Sequence, residues 1–194
     1  MSQPARPLVS VDVLEKLEQR AEVIGGELVI ETMTTFEHSD AQLGVGIEVG
    51  RRFRGNGPDG KGGWWLGTEV TVLYGPRDGF RHDVAGWRKD RVPVRPSGSR
   101  VEIVPDWVCE VLSTNRRKDL VHKRHVLHAR GVGHYWLLDP EGRTLEVLRH
   151  SAEGYVVVTT VAPGMRARLE PFDAVELDVT LLFGDVEAEE EPHE

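Results

Sequence analysis

The chain has 194 residues, 39% of them hydrophobic, a single cysteine and a formal net charge of −8. That length and apolar content suit one domain with its own core; no apolar run approaches the ~18 residues of a membrane span, and a lone Cys109 excludes an internal disulfide. The opening MSQPARPLVS lacks the apolar stretch of a secretory leader, so a reducing, cytoplasmic location is expected.

Val11–Arg20 reads as a short amphipathic helix, with Val13, Leu14 and Leu17 on one side. Gly25-Gly26 breaks it, and Glu27–Thr32 reads as a strand. A second helix is predicted from Ser39 to Phe53, despite three internal glycines. Gly55–Gly63 is a loop by composition. Trp64–Tyr74 is predicted as a strand in which Val70, Val72 and Tyr74 alternate with Thr71 and Leu73. Gly75-Pro76 and Asp78-Gly79 mark a turn, and Arg81–Trp87 reads as a short strand carrying His82-Asp83. After a polar loop, Arg88–Arg100, the run PDWVCEVL (Pro105–Leu112) reads as a buried strand. Lys118–Arg130 is predicted helical, stopped by Gly131. Gly133–Leu138 is a strand, Thr144–Leu148 and Tyr155–Val161 a hairpin, and Asp173–Phe183 a closing segment. This order is mixed α/β rather than a regular βαβ repeat.

The last ten residues, DVEAEEEPHE, hold six acids and no Lys or Arg. Without them the balance is 24 basic against 26 acidic residues, a net charge of −2. One domain over residues 1–184 with a solvated acidic tail at 185–194 follows. Twelve basic residues between Arg81 and Arg130, including Arg116, Arg117, Lys118 and Arg124, suit a nucleic-acid partner and equally an ordinary charged surface.

Asp83 and Glu110 are the acids that ask for an explanation. Each lies in a predicted strand, and Glu110 is flanked by Val108, Cys109, Val111 and Leu112. Charges are rare in buried strands unless paired or metal-bound. Two carboxylates on neighbouring strands, with a main-chain carbonyl and waters, match the oxygen preference of Mg²⁺. Such an ion with a nearby Lys suits phosphodiester hydrolysis. A strand-end ion pair with an arginine explains Glu110 as well.

The run Pro105–Pro140, PDWVCEVLSTNRRKDLVHKRHVLHARGVGHYWLLDP, resembles the signature of Uma2-type (DUF820) proteins, a family of restriction-endonuclease-like PD-(D/E)XK domains. Glu22–Leu28, His38 and Asp83 fit the same pattern upstream, so the resemblance spans about Val11 to Phe183. It implies a mixed α+β sheet with a PD-(D/E)XK core, extended here by a C-terminal β-hairpin. It also implies a divalent-metal-dependent endonuclease, acting on nucleic acid and most simply on DNA, with Mg²⁺ (Mn²⁺ substituting) held by Asp83, Glu110 and the Val111 carbonyl. Leu112 stands where the half-motif carries Lys, and Lys123 on the next helix is the matching, migrated lysine. Glu22 and His38 match polar positions that serve the site. Pairing as a homodimer is implied too, for which the apolar hairpin Thr144–Val161 offers a surface. Two positions depart from the pattern. His82 replaces the usual Pro, a structural change, and Leu127 stands where Tyr is common.

Other signals point less sharply. His122, His125 and His128 spread over a broad arc of their helix, so a zinc hydrolase is a weaker alternative. Cys109, inside a strand, is a poor nucleophile candidate. A catalytically silent nucleic-acid- or protein-binding module on the same fold is the main competing expectation.

Overall fold

The computed structural model describes residues 8–31, 33–55, 63–113 and 117–185. The acidic tail predicted at 185–194 lies outside these residues from 186 onward.

The predicted first helix shrinks to one 3₁₀ segment, Val11–Glu15, capped by the Ser10 side chain. So short a helix is marginal alone; residues 16–20 are irregular, and a strand that the sequence pattern does not reveal follows them. This strand, β1 (Ala21–Ile24), pairs antiparallel with β2 (Glu27–Ile30). Gly25 and Gly26 between them have φ of 60° and 85°, as a two-residue primed hairpin turn requires.

Helix α1 (Phe36–Phe53) starts three residues before the predicted Ser39, where the Thr35 side chain accepts the His38 N–H. That side-chain oxygen satisfies one of the orphan donors of a helix start. Of its internal glycines, Gly44 has a packing reason, since a Cβ there would collide with the main chain at Leu181 and Gly184. α1 thus docks closely on α3 (Val179–Leu182).

Strands β3 (Trp64–Gly75) and β4 (Asp78–Arg88) form a long antiparallel hairpin. β5 (Arg100–Val101) adds parallel to β3. β6 (Trp107–Val111) pairs antiparallel with β4 and parallel with β7 (His134–Asp139). The crossover between β6 and β7 carries α2 (Arg117–Ala129). β8 (Thr144–Ser151) and β9 (Gly154–Val161) complete one nine-stranded sheet of order β2-β1-β4-β6-β7-β8-β9, with β3 and β5 branching from β4. The fold is therefore mixed α+β with a mostly antiparallel sheet, as expected. The predicted extra hairpin is absorbed as the sheet's far end. Two short strands, β10 (Arg166–Ala167) and β11 (Leu177–Asp178), pair separately.

Each sheet face has its own core. Ala41, Val45, Val49 and Phe53 of α1 pack with Trp107, Trp136 and Phe172 on one face. Leu127, Val132, Tyr135, Phe80 and Tyr74 fill the other, beneath α2. No helix among the described residues is long and apolar enough to cross a membrane.

Candidate active site

One edge of β4 is shared by two strands in tandem. β1 meets it at Gly79, and β6 meets it from Val84 to Gly86. Residues 80–83 bridge the gap, where the main chain of β4 has no strand partner on that side. Unpaired main-chain groups in a buried place need other partners, and side chains supply them. The Glu22 carboxylate accepts the Arg81 N–H at 2.8 Å, and the Asp83 carboxylate accepts the Val111 N–H at 2.7 Å. Gln42 of α1 donates to the Asp83 carbonyl at 2.9 Å.

The β3–β4 hairpin is distorted at the same level. Trp64 and Leu66 pack on the α1 face, whereas Val70, Val72 and Tyr74, at the same parity, pack on the α2 face. Regular alternation forbids that exchange. It occurs beside Glu69, which has φ of 56° and no ladder partner opposite Asp83. His82 and Asp83, adjacent in sequence, point to opposite sides of the strand and so meet different partners.

All five side chains singled out in the sequence lie in this buried region. Exposure is 1% for Glu22, 5% for His38, 6% for Asp83, 3% for Glu110 and 2% for Lys123. Asp83 Oδ1 lies 3.0 Å from His38 Nε2, so His38 braces it from the α1 side. Glu110 faces the α2 side. Its Oε2 is 3.6 Å from Lys123 Nζ, and that Nζ is 2.6 Å from Glu22 Oε1. The two candidate ligands thus flank the fork between β4 and β6, each leaning toward a different helix. Val111 belongs to the same fork. A strand residue sends its N–H and C=O to the same side, so its carbonyl faces the gap that its N–H enters.

The charge balance fits a divalent cation. Among the described residues the region holds three buried carboxylates (Glu22, Asp83, Glu110) and one ammonium, Lys123, with His38 beside Asp83 and His82 beside Glu110. Buried carboxylates without matching positive charge are costly, and all the oxygen donors are hard. Among the described residues no three His, Cys, Asp or Glu side chains could ligate one ion by themselves. An ion here would take two carboxylates, the Val111 carbonyl and waters, a set typical of Mg²⁺ and foreign to a closed zinc site.

The sequence reading missed two groups. His82, expected to be a neutral structural replacement, is fully buried with Nδ1 2.5 Å from Glu110 Oε1 and Nε2 2.7 Å from the Tyr74 hydroxyl. Burial, then the charge of Glu110, holds the Tyr74 phenol well above its ordinary pKa. The available signal was the inward parity of Tyr74 with Val72, but the link to His82 needed the hairpin register.

Cys109 is fully buried, and burial followed by the charges of Asp83 and Glu110 pushes its thiol pKa well up, so it is no nucleophile. The three α2 histidines diverge. His122 meets Asp78, His128 stacks on His150 with ring centroids 4.1 Å apart, and His125 is exposed. Leu127, at the position of the expected Tyr, is a core residue.

The sequence matches the Uma2 family, described as "Putative restriction endonuclease", over residues 10–180. No curated protein matches the chain. Among solved structures, the fold is similar to "a putative nuclease belonging to DUF820" from Anabaena variabilis ATCC 29413. The TM-score is 0.66 at 20% identity, covering 90% of this chain and 97% of that one.

Proposed function

The chain belongs to the Uma2 family, and from that premise we propose that it is a divalent-metal-dependent endonuclease hydrolysing phosphodiester bonds of nucleic acid, with DNA as the substrate. The observation that carries this reading is the clustering of three buried acids, Glu22, Asp83 and Glu110, at the β4 fork among the described residues. Asp83, Glu110 and the Val111 carbonyl would hold Mg²⁺, with Mn²⁺ able to replace it. Bound there, the ion would supply neutralisation of phosphate charge and activation of water. His38 fixes Asp83 through Oδ1, and the Val111 N–H fixes Oδ2, so the carboxylate is oriented before any ligand arrives. Lys123 is the one ammonium here among the described residues. It orients the attacking water and offsets charge on the phosphate, while Glu22 anchors it.

A silent binding module is the second reading. It is favoured by one observation, that Glu22, Asp83 and Glu110 each already have a protein hydrogen-bond partner. One experiment separates the two. Calorimetric titration with Mn²⁺ should show one site in the parent protein and none in Asp83→Asn, and the parent should nick supercoiled DNA only with the metal present. Absence of both metal binding and cleavage favours the silent module.

A homodimer, giving one active site per DNA strand, belongs to the same proposal. Its surface is narrower than the hairpin suggested. Leu145, Val147 and Val161 are spent in the core, leaving Val156 and Val157 outward at 51% and 48% exposure on the terminal strand β9. Light scattering that returned only the 21.7 kDa monomer would remove this part of the proposal.

A further inference from the structure

His82 stands where the family pattern places a proline, a residue with no side-chain hydrogen bond to give. In this chain it is fully buried between Tyr74 and Glu110. An ionised carboxylate only accepts hydrogen bonds, so at 2.5 Å from Glu110 Oε1 the His82 Nδ1 carries the hydrogen. In the tautomer with its hydrogen on Nδ1, Nε2 is an acceptor for the Tyr74 hydroxyl, 2.7 Å away. Tyr74 suits this role because burial keeps its phenol protonated. In that tautomer the donors run in one order, from the Tyr74 O–H to His82 and from the His82 Nδ1–H to Glu110.

Two consequences follow for Glu110. Its Oε1 is held by His82, which leaves Oε2, the oxygen 3.6 Å from Lys123 Nζ, as the one turned toward the charged group of α2. The ring that holds Glu110 is itself fully buried. His82 sits in the tightly packed α2-side core and makes edge contacts with Tyr74 and Phe80, with ring centroids 5.7 and 6.3 Å away. Groups that orient a ligating carboxylate in this way contribute ~10–100-fold to metal affinity.

We infer that His82 is a positioning residue for Glu110, and that Tyr74 sets the His82 tautomer needed for that task. The inference rests on the reading of Asp83 and Glu110 as metal ligands, and extends it to two residues that touch neither substrate nor ion. It also accounts for the departure from proline. The histidine adds a donor aimed at Glu110 that proline lacks.

The test uses Mn²⁺ alone, followed by the paramagnetic resonance of the free ion, with thermal melting of metal-free protein as a check of folding. His82→Leu keeps volume but removes the donor. It should weaken Mn²⁺ binding by ~10–100-fold, the usual scale for losing a residue that orients a ligand. His82→Asn, whose amide nitrogen lies near the place of Nδ1, should restore most of that loss. Tyr74→Phe, the mildest change, should weaken binding less than His82→Leu while melting close to the parent. A packing role predicts a different pattern, in which Asn does worse than Leu and affinity tracks the melting temperature. That pattern, or equal Mn²⁺ affinity in all four proteins, overturns the inference while leaving the metal site standing. A parent protein that binds no Mn²⁺ brings down the metal reading itself, and this inference with it.

Discussion

Lys123 Nζ lies 2.6 Å from Oε1 of Glu22, 101 residues earlier in the chain, and both side chains are 2% exposed. This pair changes what a substitution at Lys123 measures. Were Lys123 an exposed catalytic group, Lys123→Ala would report on chemistry alone. With the pair buried, removing the lysine leaves the Glu22 charge uncompensated, a loss of ~3–5 kcal/mol for breaking a buried ion pair. Lys123→Met should therefore shift the urea midpoint strongly. Adding Glu22→Gln should recover most of the loss, because both charges then leave together. Equal midpoints for the parent and Lys123→Met would show that the pair is not coupled.

Asp83→Asn is the cleaner probe of chemistry. The amide oxygen can still accept the Val111 N–H, so the fork keeps its hydrogen bond. Cleavage should fall by ~10²-fold or more, the scale of losing one preorganised charged group, with the melting temperature close to the parent's. Retained cleavage in this variant would remove Asp83 from the catalytic set.

Arg124 is exposed on α2, one residue beyond Lys123. If the nucleic acid crosses this helix, Arg124→Ala should reduce the slope of log binding constant against log salt by ~0.9, one phosphate contact. Cleavage at saturating DNA should hardly change. An unaltered slope would place the bound strand elsewhere.

Cys109 gives a probe of the whole region without mutation. Its thiol is fully buried and its pKa is pushed up by burial. A thiol reagent such as Ellman's should leave it untouched in native buffer and label it stoichiometrically in denaturant. Rapid native labelling would mean that β6 opens far more readily than its packing implies.

His134 sets part of the acid dependence of stability. Burial lowers its pKa from the ordinary 6.5, outweighing the Glu170 carboxylate 3.2 Å away. The unfolded chain therefore binds a proton at a higher pH than the native one. The sign follows from linkage. Stability from this site is full above about pH 6.5 and declines as pH falls toward the depressed native value. His134→Asn should lose less stability than the parent between roughly pH 7.5 and 5, measured by urea unfolding at each pH. A steeper acid loss in the variant would contradict this sign.

Much of the site was legible in the sequence, for a local reason. Asp83 and Glu110 stand out because charge inside an apolar strand is conspicuous without any knowledge of its partner, and both are buried as that implies. Glu22, His38 and Lys123 carry no such mark. Only the family resemblance singled them out. The main helices and the β3–β4 and β8–β9 hairpins follow from periodicity and turn residues, which act over a few positions. β1 was missed because four residues, AEVI, give too short an alternation, and a strand draws its stability from distant partners.

What the sequence determined by itself was therefore the mixed fold and the two acids of the fork, since periodicity and buried charge are properties of neighbouring residues. The tertiary structure alone decided the rest. It ended the first helix at Glu15, bound Lys123 to Glu22, and set His82 between Tyr74 and Glu110. These links join residues 8 to 101 positions apart. They exist because β1 and β6 share one edge of β4 and leave a gap of unpaired main chain between them, into which only correctly registered side chains can reach.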